Sequence, residues 1–283
     1  DRRLPPFFHV SVAAWVDALR AALAAAGIEA PIVGGSRSHF TELNRERDRM
    51  PADLAELVTT VTPQFHATST AQLIESVAMQ RLVARQTVEY AEGRPVRIGP
   101  VTLRPRFNDV ATGPQPGPAR ADLAAGYGAE FTGTVDPRQP TPELAAWTIA
   151  SAAALAVPGV VGLTYFEEWG PRGIRTAAGA PLPVAAAIEA LVALGAPRGG
   201  SLPADAASSR KAAGLLTGDS PDGLLWALGA RTPTGTTVLA ANLDRTERTV
   251  QIAVPRSDGS LRDSTVTLAP LQWERVDLPD AER

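Results

Sequence analysis

Between residues 11 and 195 short apolar, β-branched runs alternate four times with helical stretches, and this alternation narrows the possible folds more than any other feature of the chain. The runs lie at 30–36 (APIVGGS), 58–62 (VTTVT), 95–103 (PVRIGPVTL) and 159–166 (GVVGLTYF). The helical stretches lie at 11–27, 68–93, 143–157 and 182–195, and PADLAEL adds a helical turn or two opened by Pro51. In the first stretch Val12, Trp15, Val16 and Leu19 share one face and Gly27 supplies the stop. Strands joined through helices pair in parallel, and parallel sheets carry their binding loops at the carboxyl ends of the strands. A closed (β/α)8 barrel takes eight such units in typically ~250 residues. Four units therefore read as half a barrel, with the other half expected upstream as an N-terminal remainder of the same protein. The opening DRRLPPFFHV agrees with that expectation: it has no initiating Met and none of the features of a signal peptide.

After a break at 199–214 (GGSLPADAASSRKAAG) the grammar changes. GTTVLAANL, RTVQIAVP, STVTLAP and LQWERVDL are short strands separated by turns such as DRTE and SDGS, and TVQIAV and STVTL alternate with period two. This pattern predicts an antiparallel β-sandwich. The expected fold class is α/β of the (β/α)8 TIM-barrel type, represented by its C-terminal half, followed by a small antiparallel sandwich. The expected domains are 1–198 and 199–283. The second is read as a structural module, with carbohydrate binding as the alternative. The Gly/Pro-rich segment 108–140 follows the third strand, where a barrel would carry a lid over its pocket.

Composition removes several classes of function. A net charge of −3 offers no electrostatic footprint for nucleic acid or an anionic membrane. No apolar run reaches the ~20 residues of a membrane span. The absence of cysteine excludes disulfides, thiolate metal sites and cysteine nucleophiles. With only His9, His39 and His66 and no H-E-x-x-H pattern, neither a metal nor another cofactor is expected. There is no Walker A loop and no G-x-S-x-G elbow, and GYGAEF lacks the third glycine of a dinucleotide fingerprint. Arg far outnumbers Lys, with Lys211 the sole lysine, which fits a GC-rich genome and says little about function.

The residues that can carry chemistry cluster at the predicted strand ends. His39, Glu42, Asn44 and Arg45 follow the first strand, and Thr60, Thr62, Gln64 and His66 share one parity after the second. Thr102, Arg104, Arg106 and Asn108 share a parity in the third. In the fourth, alternation puts Tyr165 and Glu167 on one face and Phe166 and Glu168 on the other, so one acid is expected to face the site. Each residue also has a plainer reading. Glu42 with Arg45 is equally an i,i+3 surface pair, His66 alone suits a structural histidine, Arg104 and Arg106 suit solvated loops, and Glu168 beside Trp169 suits a rim. Convergence at one barrel face is what favours a site.

Taken together, GGSRSHFTELNR (34–45), VTPQFHA (61–67), PVTLRPRFN (100–108), VDPRQ (135–139) and LTYFEEWGPRG (163–173) resemble the D-apionate lactonase family. Its members are bacterial (β/α)8-barrel hydrolases, similar in architecture to clan-A glycosidases and equipped with accessory β-domains. The resemblance implies opening of a branched-sugar lactone to its aldonate in the cytoplasm, as part of D-apiose catabolism. It implies Glu42, Asn44, His66, Arg104, Asp136, Arg138, Gln139, Tyr165 and Glu167 as the matching polar positions. In the implied chemistry Glu167 is the base, Tyr165 or His66 the proton donor and Arg104 the oxyanion or carboxylate binder. Glu42, Asn44 and Gln139 would hold sugar hydroxyls, with Asn108 a further substrate contact. Glu168 and Pro171 depart from the family pattern, which places the weight on Glu167. The expected partner is a small sugar lactone or carbohydrate, not nucleic acid or a membrane. Two alternatives stay open: a clan-A glycoside hydrolase and a non-catalytic carbohydrate-binding barrel. The first is disfavoured because the strand counted as seventh supplies Arg104, not the nucleophilic acid of a retaining glycosidase.

Overall fold

Strand and helix alternate in space as the residue pattern requires. The computed structural model describes residues 10–36, 38–65, 67–104, 135–195, 215–232, 234–255 and 260–279. The first portion runs α1 (Ala13–Ala25), β1 (Val33–Gly35), α2 (Phe40–Arg45), a 3-10 turn (Arg47–Arg49), β2 (Glu56–Val61), α3 (Thr70–Tyr90) and β3 (Val96–Val101). It continues through α4 (Pro142–Leu155), β4 (Val160–Tyr165), β5 (Glu167–Trp169), β6 (Gly173–Arg175) and α5 (Pro183–Gly195). Strands β1–β4 form one sheet in sequence order, all neighbours parallel, with Leu57 beside Val96 and Val96 beside Val160. This is the sheet of a barrel segment, as expected.

The two faces of that sheet differ. Leu57, Val96 and Ile98 are fully buried against helices, whereas Arg97 and Thr164 reach solvent on the opposite face, where Arg97 pairs with Glu56. Close strand contact at the β1 edge depends on Gly35: a Cβ there would lie 1.8 Å from the Val58 carbonyl oxygen. The polar stretch after β1, read only as a source of site residues, folds as α2. PADLAEL is not helical; it turns directly into β2, because burying Leu54 and pairing Leu57 with Val96 satisfies both side chains and backbone.

Helix α3 begins where Ser69 Oγ accepts from the Gln72 N–H at 3.2 Å, a side-chain N-cap. Helix α4 has Pro142 in its first turn, and every residue from Leu144 to Leu155 is buried. A helix apolar all round must be covered all round. On one side α4 meets α3 and the sheet, with Trp147 Nε1 donating to the Leu73 carbonyl at 3.1 Å. On the other it meets the C-terminal strands.

Those strands are β7 (Leu215–Thr217), β8 (Leu225–Thr232), β9 (Gly235–Asn242), β10 (Arg248–Pro255), β11 (Leu261–Leu268) and β12 (Trp273–Pro279). They form an antiparallel sheet in the order β12-β9-β8-β7 and a separate antiparallel hairpin, β10-β11. The hairpin alternates in burial as its period-two sequence predicts. Strand β9 is buried along its whole length. One hydrophobic cluster runs from Leu57 and Ile98 through Trp147, Ile149 and Leu155 to Trp226, Leu228 and Leu239, so both portions share a core. Arg81 of α3 crosses the seam: its guanidinium lies 4.8 Å from the centre of the Trp226 ring and donates to the Ala153 and Gly218 carbonyls at 3.3 and 3.2 Å. The division expected at 198/199 lies outside the described residues.

Candidate functional site

The carboxyl ends of β2, β3 and β4 gather a network of charged and amide side chains. Its centre is Asp136, just ahead of α4, with a carboxylate only 1% exposed. Arg138 donates to it from Nε at 2.7 Å, from Nη2 at 2.6 Å and from its backbone N–H at 3.0 Å. Arg104, immediately after β3, donates from Nε at 3.0 Å. Burial by itself would raise the Asp136 carboxyl, but the hydrogen bonds and charge of Arg138, with the Arg104 bond, outweigh it and hold the group below the usual carboxylate range.

Arg138 also donates to Gln64 Oε1 at 2.9 Å, to the Thr68 carbonyl at 3.1 Å and to Thr70 Oγ1 at 3.4 Å. It thereby fastens the exit of β2 and the start of α3 to the start of α4. Arg104 uses Nε alone for Asp136; its side chain is 20% exposed, and among the described residues its two terminal nitrogens make no hydrogen bond.

Next along the same rim, Glu167 opens β5. The alternation that predicted its direction does not continue through the end of β4, because Phe166 adopts the left-handed region at φ 51°. That conformation costs a bulky L-residue of order 1–3 kcal/mol and turns the chain out of the strand. Tyr165 and Glu167 therefore do not share a face. Tyr165 belongs to the helical layer, where its hydroxyl lies 2.8 Å from Ser151 Oγ on α4. Ser151 in turn donates to Gln80 Oε1 at 2.5 Å, so the phenol is the donor to Ser151. Burial pushes the phenol's pKa up, only partly offset by Ser151, and the group stays protonated. Tyr165 is tied to the packing of α3 and α4.

Glu167 instead has Arg172 as its partner, at 3.0 Å from Oε1 and 3.1 Å from Oε2. The arginine side chain is 5% exposed and the glutamate side chain 19%, so the acid is the less buried member of the pair, although its Oε1 is itself buried. Gln139, 3% exposed, donates from Nε2 to the Gly173 carbonyl at 2.9 Å. It fastens the turn that carries Arg172 and is committed to the fold. Glu168 is exposed, as expected, although Phe166, with which parity grouped it, is buried.

Glu42 lies apart from this cluster. It sits in α2, at the β1 side of the sheet, with two strands between β1 and β4 and therefore roughly 14 Å across by ordinary strand spacing. Its carboxylate is buried and pairs with Arg45 at 2.7 Å, the i,i+3 pair that spacing alone allowed. It lines a cavity of 520 Å³ between α2 and α3, together with His39, Phe40, Phe65, Met79 and Gln80. Asn44 is exposed on the same short helix. His66 and Asn108 lie outside the described residues. Gln64, singled out by its parity, joins the network through Arg138. Arg172 escaped sequence reasoning as a candidate; its only signal was its place five residues after Glu167 beyond a Gly-Pro turn. Among the described residues no three His, Asp or Glu side chains converge as a metal set, and no helix is long and apolar enough to cross a membrane.

A parallel strand–helix segment with its charged groups gathered at the carboxyl ends of the strands defines a TIM-barrel-type domain. The chain belongs to the D-apionate lactonase family: the model of that family's TIM barrel domain matches residues 6–196. A D-apionate lactonase of Brucella anthropi is 28% identical over 162 residues, covering 57% of this chain and 25% of that protein. The match thus spans about a quarter of the curated relative's length. Among solved structures, the ligand-free cyclic α-maltosyl-(1→6)-maltose hydrolase of Arthrobacter globiformis is similar over 86% of this chain and 54% of that one. Its identity is 12% and its TM-score 0.33.

Proposed function

We propose that this chain carries part of the active site of a hydrolase that opens a sugar-derived lactone, D-apionolactone-like, to its aldonate. The observation that carries the reading is the presence on one rim of the sheet of a partly exposed acid, Glu167, and of Arg104, whose terminal nitrogens make no hydrogen bond among the described residues. Glu167 takes a proton from water as that water's oxygen attacks the lactone carbonyl carbon. The terminal nitrogens of Arg104 hold the negative charge that develops on the carbonyl oxygen, and afterwards the product carboxylate, for which a guanidinium has the matching fork. The ring C–O bond then breaks, and the departing oxygen takes a proton from His66. Within this network of ion pairs three arginines, Arg104, Arg138 and Arg172, face the two carboxylates of Asp136 and Glu167.

Family membership supports this reading over a glycoside hydrolase, as does the presence of Arg104, paired to Asp136, at the end of β3. The test is a proton-release assay of the full-length protein against a panel of aldonolactones and glycosides. Lactones are expected to be opened and glycosides left intact, and Glu167→Gln should lower kcat by at least ~10²-fold. Turnover of glycosides alone, or unchanged lactone turnover in the variant, would refute it.

A further inference from the structure

We infer that Arg172 is the positioning residue for Glu167, fixing the carboxylate from behind without itself meeting the substrate. The inference rests on Glu167 being the working acid of the proposed lactonase. Three observations carry it.

The first is relative depth. Nη2 of Arg172 reaches both carboxylate oxygens, at 3.0 and 3.1 Å, from a side chain 5% exposed, while the Glu167 side chain ahead of it is 19% exposed, with Oε1 the buried oxygen. A substrate arriving from solvent meets the acid, not the arginine.

The second is the way the arginine is held. Gly173 N–H donates to the Gly170 carbonyl at 3.0 Å, closing a turn through Pro171 and Arg172, and Glu167 N–H donates to the Arg172 carbonyl at 3.3 Å. The buried Gln139 fastens that turn through the Gly173 carbonyl at 2.9 Å. Backbone and side chain of residue 172 thus both bear on residue 167, and the turn is tied to the start of α4. The third is the left-handed Phe166 immediately before the acid. A bulky residue persists there only where its surroundings over-determine it, and such outliers gather at working sites. Here it takes Glu167 out of the strand's alternation and delivers it to Arg172.

The experiment uses full-length protein on the lactone it turns over best, comparing Arg172→Met, Arg172→Lys, Glu167→Gln and the double variant E167Q/R172M. Arg172→Met is expected to lower kcat by ~10- to 100-fold with KM changed less than ~3-fold, and Arg172→Lys to recover part of the loss. Because a positioning residue acts through the acid, adding Arg172→Met to Glu167→Gln should cost less than ~2-fold more. A merely structural arginine would instead multiply the loss in both backgrounds, and a substrate-binding one would raise KM ~10-fold at constant kcat; either result overturns the inference. If Arg172→Met does not fold, Arg172→Lys with its own E167Q double variant gives the same cycle. If the wild type opens no lactone, the proposed activity fails, and positioning is then judged by crystal structures alone. A Glu167 side chain that leaves its wild-type rotamer in Arg172→Met supports positioning; one unchanged in place overturns it.

Discussion

Replacing Asp136 with alanine removes the group on which the rim network is built. Its carboxylate, 1% exposed, accepts from two arginines and one backbone N–H at 2.6–3.0 Å. Deleting one partner of a buried ion pair leaves the other's charge uncompensated, at a cost of about 3–5 kcal/mol. Arg138 is the partner stranded, being 14% exposed; Arg104 is closer to water and adds less. Equilibrium urea unfolding of the full-length protein reads the loss. With a denaturant slope of about 3 kcal/mol/M, the midpoint should fall by roughly 1–1.7 M. The loss also depends on pH with a defined sign. The folded-state pKa of Asp136 lies below its unfolded value of about 3.9, so its contribution is fully present above that value and fades as pH falls through the folded pKa. Wild type and Asp136→Ala should therefore differ most above about pH 5 and converge in stronger acid. A loss under about 1 kcal/mol at neutral pH, or a difference that grows on acidification, would refute the reasoning.

Two further substitutions separate packing from chemistry. Tyr165→Phe removes the hydrogen bond to Ser151 and should cost about 0.5–1.5 kcal/mol of stability in thermal or denaturant unfolding, while lactone turnover stays within ~3-fold; a ~10²-fold fall in kcat would return Tyr165 to the reaction. Arg81→Met removes a cation–π contact with Trp226 and two carbonyl contacts across the seam, worth about 2–3 kcal/mol together. Faster amide exchange concentrated in β7 and β8 is the expected readout, and unchanged exchange there would argue against the shared core.

Some of this was legible in the sequence because it is local. The parallel sheet followed from strand–helix alternation, and the hairpin β10-β11 from period-two patterning, both of which a chain expresses over a handful of residues. The resemblance located Arg104, Asp136, Arg138, Gln139 and Glu167, and the fold brings these five to one rim. The directions of their side chains were less accessible. Glu168 does lie exposed, but parity itself failed here: Phe166, grouped with Glu168, is buried, and Tyr165 and Glu167 part, since one left-handed residue at Phe166 ends the alternation on which parity depends. Nor could parity reveal that Gln139 answers to the Gly173 carbonyl, 34 residues away.

The amino-acid sequence by itself determined that short buried strands would pair in parallel behind helices, that an antiparallel module would follow, and that polar groups would collect at strand ends. Only the tertiary structure decided which polar groups meet. Arg138 finds Gln64 across 74 residues, Ser151 finds Gln80 across 71, and α4 is apolar on every side because the sheet covers one flank and β8 and β9 the other. Periodicity records which face of an element is buried. The partner waiting on that face is set by how distant elements pack, and at this site that distinction separates Glu167, gripped by Arg172, from Tyr165, held two residues earlier in the helical layer.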